Sequence, residues 1–252
     1  MSANRPMPDP AVSHPEPDRS GSAQHQRAFA ATRIWIFDLD NTLYPADCNL
    51  FAEIDQRMGL FIQRYLDVPW EHARYLQKHY YRRYGTTLAG LMQEHKMHPD
   101  AFLDYVHDID LTPVPEHPEL AAQIARLPGR KLIFTAGSRV HAERVAGKLG
   151  VLHLFEGICD IVTTGYVPKE QREAYDKFVR AHDVKPDEAA MFEDMPHNLV
   201  AAHELGMTTV LVHSSYVDHP AQMKIKTWKT PPAHVHHMTE DLARFLAGVK
   251  AG

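Results

Sequence analysis

Residues 33–45 read RIWIFDLDNTLYP. Ile34, Trp35, Ile36 and Phe37 form a short apolar run of β-branched and aromatic side chains, the pattern of a strand covered on both faces. The run stops abruptly at Asp38 and Asp40, with Asn41 and Thr42 behind them and Tyr44-Pro45 forcing an extended or turning path. In an open parallel sheet ligands bind beyond the carboxyl ends of the strands, so two carboxylates at that edge stand where chemistry is done. With only Leu39 between them, the two are read as pointing to opposite sides and suited to different tasks.

Downstream of this strand, residues 48–111 contain no strand-like run. Leu50, Phe51, Ile54, Met58, Phe61, Ile62 and Tyr65 recur at helical spacing and stop before Pro69. Pro69 suits the first turn of a second helix that ends at Gly85, Thr86-Thr87 can cap a third, and His98-Pro99-Asp100 opens a fourth. This predicts an all-helical insertion directly behind the acidic strand end, placed as a cap over the site. From Pro118 onward helices alternate with strands over 131–138, 157–164, 189–194 and 208–215, followed by an irregular stretch over 214–233, an edge strand over 233–238 and a helix over 239–248. The expected fold class is α/β: a Rossmann-like parallel sheet with helices on both faces, formed by 31–47 and 112–252, with the helical cap over 48–111.

Residues 1–30 are crowded with Pro, Ser, His and charge without hydrophobic periodicity, and are expected to be a disordered tail. The 252-residue chain is 44% apolar and carries a formal net charge of -5, which argues against a nucleic acid polymer as partner. No apolar run reaches membrane-spanning length and the N-terminus lacks an apolar signal core, so a cytoplasmic protein that does not enter membranes is expected. Cys48 and Cys159 form no CxxC pair and read as reduced thiols. His234, His236 and His237 fall across two faces of a strand, a poor arrangement for a shared metal. No exposed heptad seam demands assembly, leaving monomer or homodimer.

The remaining strand ends complete a constellation. The second strand leads to Thr135, Ala136 and Gly137 before a helix, a hydroxyl and backbone N–H groups able to hold an anion. Lys169 follows the third strand, and Glu193-Asp194 end the fourth. A parallel sheet brings these ends to one edge. Carboxylates crowded there repel one another unless a cation compensates, and oxygen ligands suit Mg2+.

With these residues in place, the chain resembles the haloacid dehalogenase superfamily: DLDNT at 38–42 is similar to its DxDxT signature, and Thr135, Lys169 and Glu193-Asp194 to its three other motifs. NTLYP, YGTTLAGL at 84–91, FLDYVHDIDL at 102–111, HAERV and FEDMPHNLVAAHELGM more narrowly resemble the pyrimidine 5′-nucleotidase branch with a helical cap. The resemblance implies Asp38 as nucleophile forming an aspartyl-phosphate, and Asp40 as acid and then base. It implies Mg2+ held by Asp38, the Asp40 carbonyl and Asp194, with Glu193 direct or through water. Thr135, the Ala136 N–H and Lys169 would hold the phosphoryl oxygens.

Two positions depart from the family pattern: Ala136 stands where many relatives have Asn, and Glu170 where Pro commonly follows the lysine. The second aspartate, Asp40, favours phosphate ester hydrolysis over dehalogenation, because a halide leaving group needs no acid. The expected substrate is a small phosphorylated molecule, foremost a pyrimidine nucleoside 5′-monophosphate. Sugar phosphates, phosphoglycolate and phosphomutase chemistry are the enzymatic alternatives, and a catalytically retired scaffold the non-enzymatic one. In the cap, Thr86 and Thr87 either contact substrate or cap the next helix, Tyr44 either stacks a base or packs under the cap, and His107 and Asp108 stand near the return to the core as hinge candidates.

Overall fold

A computed structural model describes residues 28–214 and 225–250. Six strands form one sheet in the order β3-β2-β1-β4-β5-β6: β1 Ile34–Phe37, β2 Arg130–Phe134, β3 Gly157–Cys159, β4 Ala189–Glu193, β5 Thr208–Val212 and β6 His237–Thr239. All neighbouring pairs are parallel. β1 lies at the centre. The chain builds outward from it through β2 and β3, then returns to its other side for β4, β5 and β6, so strand order reverses at β1. That reversal opens a crevice at the carboxyl end of β1.

β1 is buried throughout, and its side chains divide between two cores. Ile34 and Ile36 pack with Leu132, Tyr175, Phe178 and Leu199, whereas Trp35 and Phe37 join Ile124, Val145, Phe192 and Leu246. The helices responsible are α5 Pro118–Arg126, α6 Arg139–Lys148, α7 Arg172–Ala181, α8 Leu199–Glu204 and α9 Leu242–Gly248. Gly129 turns the chain from α5 into β2 at φ 81°, where a Cβ would meet the Arg33 carbonyl oxygen at 2.2 Å. Both the left-handed backbone and the close approach require glycine.

The inserted helices fall where the pattern predicts: α1 Leu50–Leu66, α2 Trp70–Tyr84, α3 Thr87–His95 and α4 Pro99–His107. Pro69 and Gly85 flank α2. The helices approach closely at two glycines, Gly59 against Trp70 and Gly90 against Tyr80. Ile54, Leu88, Phe102 and Val106 of the insertion belong to the same apolar cluster as Trp35 and Phe37 of the sheet.

Several elements are shorter than their apolar runs suggest. β2 ends at Phe134 because Thr135 and Ser138 turn the chain, Ser138 accepting from the His141 N–H to start α6. β3 ends at Cys159 because Asp160 Oδ1 accepts from the Thr163 N–H and hydroxyl. α7 begins only at Arg172, leaving Lys169 on the preceding loop rather than at a helix start. β6 covers only His237–Thr239, since His236 turns its Nδ1 to Thr209, and α9 is capped by Asp241 rather than by Thr239. Residues 1–27 of the expected tail lie outside the described residues. Phe29, also expected there, instead packs on Trp35 and His237 at ring separations of 5.8 and 4.8 Å. Cys48 and Cys159 are free thiols. Among the described residues no helix is long and apolar enough to cross a membrane.

Candidate active site

The registers of β1 with β2 and β4 align Phe37 with Ile133 and Phe192, so the residues just beyond these strands converge at one edge. Lys169 stands at the centre. Its Nζ donates to Asp38 Oδ1 at 2.7 Å and to the Phe134 carbonyl at 2.6 Å, and pairs with Glu193 Oε2 at 2.6 Å. Only 4% of the lysine is exposed. Its ammonium lies over the Phe134 ring, 4.9 Å from the centroid. Burial opposes its charge, but Asp38 and Glu193 outweigh that cost and hold the ammonium protonated.

Asp38, Glu193 and Asp194 each offer a carboxylate oxygen, and these atoms lie within 4.8 Å of one another. Burial and the adjacent Glu193 push the carboxyls of Asp38 and Asp194 up, while Lys169 overcomes burial to hold Glu193 down. Fully ionised, three carboxylates against one ammonium leave two negative charges in a buried site. A divalent cation with a preference for oxygen matches both the charge and the donor set. Glu193 also accepts from the Met195 N–H through Oε1 at 3.1 Å, so both its oxygens have protein partners. Asn41, not singled out in the sequence, directs its amide toward Asp194 Oδ2 at 3.5 Å.

Asp40 has different partners from Asp38 because the chain has left the strand: β1 ends at Phe37, and the Thr42 and Leu43 N–H groups donate to the Leu39 carbonyl in a turn; on a chain that stayed extended, residues two apart would share a face. Asp40 Oδ1 accepts from the Tyr44 hydroxyl at 2.6 Å and contacts His141 Nε2 at 2.9 Å. Burial would raise this carboxyl, but His141 and the hydrogen bonds from His141 and Tyr44 hold it below the usual range. Tyr44 is 1% exposed and is absent from the cavity wall, which corrects its assignment to substrate: its hydroxyl is committed to Asp40. His141 stacks on His107 at 4.4 Å, and Ser138 Oγ contacts His107 Nδ1 at 3.0 Å. Burial, then His141, pushes the His107 imidazole down to about 3. Thus His107 backs the Asp40 support as well as standing near the return to the core. Only the HAERV resemblance touched His141, and no local spacing linked it to Asp40.

A cavity of about 530 Å³ opens over this edge. Asp38, Asp40, Ala136, Gly137, Lys169, Glu193 and Asp194 form its floor, and residues of α1, α2 and α4 its walls. Thr135 is buried beneath, its Oγ1 accepting from the Gly137 N–H at 2.9 Å. Thr86 and Thr87 line the cavity but spend their hydroxyls on backbone: Thr86 accepts from the Ala89 N–H as the cap of α3, and Thr87 donates to the Gln77 carbonyl. The insertion meets the core loop at Gly85, where a Cβ would lie 2.6 Å from Glu170 Oε1 and 2.7 Å from Pro168 Cβ.

Residues 32–206 match the family described as haloacid dehalogenase-like hydrolase. The chain belongs to that family. Over 140 residues the hydrolase is 29% identical to Phosphate metabolism protein 8 of Saccharomyces cerevisiae, a match covering 51% of this chain and 43% of the yeast protein. It therefore spans less than half the length of that curated relative. Among solved structures, CbbY of Rhodobacter sphaeroides in complex with phosphate superposes with a TM-score of 0.57 at 19% identity, covering 85% of this hydrolase and 96% of CbbY. YfnB of Bacillus subtilis, in a structure bound to magnesium, gives a TM-score of 0.54 at 12% identity over 86% and 97% of the two chains. These likenesses establish the fold: a six-stranded parallel sheet with flanking helices.

Proposed function

We propose that this hydrolase is a Mg2+-dependent phosphatase of small phosphate monoesters, with a pyrimidine nucleoside 5′-monophosphate as its foremost substrate. The observation that carries the reading is the pair of differently partnered carboxylates, Asp38 beside Lys169 and the acidic cluster, Asp40 beside Tyr44 and His141, both on one cavity. Asp38 is the nucleophile: its carboxylate attacks phosphorus, forming an aspartyl-phosphate as the ester oxygen leaves. Asp40 Oδ1 is engaged by Tyr44 and His141, so Oδ2 is the oxygen that gives a proton to the leaving group. An incoming phosphate dianion raises this carboxyl enough to carry that proton. In the second half Oδ2 takes a proton from the water that cleaves the aspartyl-phosphate.

Lys169 opposes the upward push on the Asp38 carboxyl, orients it through their 2.7 Å contact and offers positive charge to the phosphoryl oxygens, with the Ala136 and Gly137 backbone beside it. Asp38, Asp194, Glu193 and the Asp40 carbonyl would hold Mg2+, which when bound supplies charge neutralisation for the approach of a carboxylate to a phosphate. The buried oxygen cluster and the magnesium in the YfnB structure support this assignment. The phosphate in the CbbY structure and the name of the yeast relative support phosphate chemistry. The cap resemblance favours a pyrimidine nucleotide, and the cavity volume lies within the roughly 300–1,000 Å³ of small-ligand sites.

The test is phosphate release from nucleoside monophosphates, sugar phosphates and phosphoglycolate, with Mg2+ or chelator, by wild type and Asp38→Asn. UMP and CMP are expected to lead, with metal required and the variant inactive. A different leading ester refutes the pyrimidine assignment, and undiminished turnover by Asp38→Asn refutes the nucleophile.

A further inference from the structure

Arg74, Gln77, Lys78 and Tyr81 of α2 line the cavity together with Asp55 of α1. At positions i, i+3, i+4 and i+7, they share one face of the helix. At about 1.5 Å per residue, Lys78 stands roughly 4–5 Å and Arg74 roughly 10 Å along the axis from Tyr81. Tyr81 marks the end near the chemistry, because Gly85, one turn further, abuts Pro168 and Glu170 on either side of Lys169. The stripe therefore runs from the phosphate end toward a polar pole in the insertion at which Arg74 and Lys78 are partly exposed.

The hydrogen-bond inventory of that pole is unequal. Asp55 Oδ1 accepts from Gln77 Nε2 at 2.8 Å and Lys78 Nζ at 2.6 Å, and its Oδ2 from Arg74 Nη2 at 2.8 Å. Arg74 Nη1 donates to the Asp55 carbonyl at 2.9 Å and to Gln77 Oε1 at 2.7 Å, while Gln77 Nε2 also donates to the Asp55 carbonyl at 3.0 Å. The acceptors are thus consumed internally. An ammonium has three N–H donors and a guanidinium five, so both cations retain donors beyond those bonds. One carboxylate against two cations also leaves a positive charge. The cavity wall also includes the apolar side chains of Phe51, Ile54, Met58, Leu88 and Phe102.

We propose that Arg74 and Lys78 form a specificity site for acceptor oxygens at the far end of the leaving group, either carbonyl or carboxylate, and discriminate against N–H donors there. The inference rests on the phosphatase reading. Applied to pyrimidine nucleotides, it selects uracil, which presents an O4 acceptor, over cytosine, which presents an amino group at that position.

The test compares kcat/KM for UMP against CMP and for 3-phosphoglycerate against glycerol 1-phosphate, in which a hydroxymethyl group replaces the carboxylate. Wild type, Lys78→Met and Lys78→Arg are assayed after thermal melting verifies that each is folded. One matched rather than mismatched or weaker hydrogen bond gives an expected preference of about tenfold for UMP and for 3-phosphoglycerate. Lys78→Met collapses that ratio and Lys78→Arg restores it, which loss of packing alone would not do. Wild-type ratios near one in both pairs, or ratios indifferent to Lys78→Met, overturn the specificity site while phosphatase activity stands. If no ester is turned over, calorimetric binding of uridine and cytidine decides the pole separately: tighter uridine binding, weakened by Lys78→Met, supports it, and equal or reversed affinity overturns it.

Discussion

Lys169→Met tests the electrostatics on which the site depends. Methionine keeps most of the buried stem and removes the ammonium that lies 2.7 Å from Asp38 and 2.6 Å from Glu193. Three buried carboxylates within 4.8 Å are then left without the lysine counter-charge. Removing one partner of a buried ion pair typically costs about 3–5 kcal/mol. At about 2–4 °C per kcal/mol for a chain of this size, the metal-free variant is expected to melt roughly 6–20 °C below wild type. The loss depends on pH in a defined direction. Asp38 and Asp194 have carboxyls raised by burial and by Glu193, and without Lys169 the carboxyl of Glu193 joins them. A carboxyl raised in the folded state binds more protons folded than unfolded, so its stability contribution falls as pH rises from the unfolded value toward the folded one. The deficit is therefore largest near pH 8 and narrows as pH approaches the ordinary carboxylate range of about 4. Calorimetric melting in chelator at pH 5 and pH 8 measures both effects. Lys185→Met is the control, since its 3.5 Å pair with Glu188 is largely exposed and should shift melting little. A Lys169→Met variant melting within about 2 °C of wild type at pH 8, or a deficit that grows on acidification, would refute the reasoning.

Other expectations follow from single contacts. Gly90→Ala places a Cβ 2.3 Å from Tyr80 Cβ, forcing α2 and α3 apart; despite alanine's better helix propensity, a net loss of about 1–3 kcal/mol is expected in denaturant unfolding. Thr86→Ala removes the oxygen that accepts from the Ala89 N–H at 3.0 Å and should cost about 1 kcal/mol, with Thr86→Ser retaining most of it. Tyr44→Phe deletes the 2.6 Å donor to Asp40 without opening a cavity; steady-state assay should show kcat reduced about tenfold or more, and an unchanged kcat would contradict the support assigned to that hydroxyl.

The sheet and the acidic floor of its cavity were legible because one local rule governs them. Each apolar run that ends in polarity is a strand reaching the carboxyl edge, and Asp38, Thr135 and Glu193 stand next to or at such ends. The inserted helices were legible for a related reason: Pro69 and Gly85 flank α2, and Thr86 caps α3 through a contact three residues away. Contacts made across long separations left no such local trace. Asp40 and His141 lie 101 residues apart, and Asn41 and Asp194 lie 153 residues apart, so their pairing depends on the packed sheet. Tyr44 shows the consequence. An aromatic residue next to a site suggests a stacking surface, but only the fold places its hydroxyl on Asp40 and buries its ring. The Asp55 pole is similar, because the i, i+3 and i+4 spacing of Arg74, Gln77 and Lys78 marks a shared face, whereas the packing of α1 on α2 determines that an acidic side chain meets them. The two ends of the cavity thus have different sequence origins. Strand termini supply the acidic floor and its lysine through short motifs, and helix packing supplies the far pole through residues ordinary in isolation, which is why the proposed reaction class is easier to read from the chain than the identity of a leaving group.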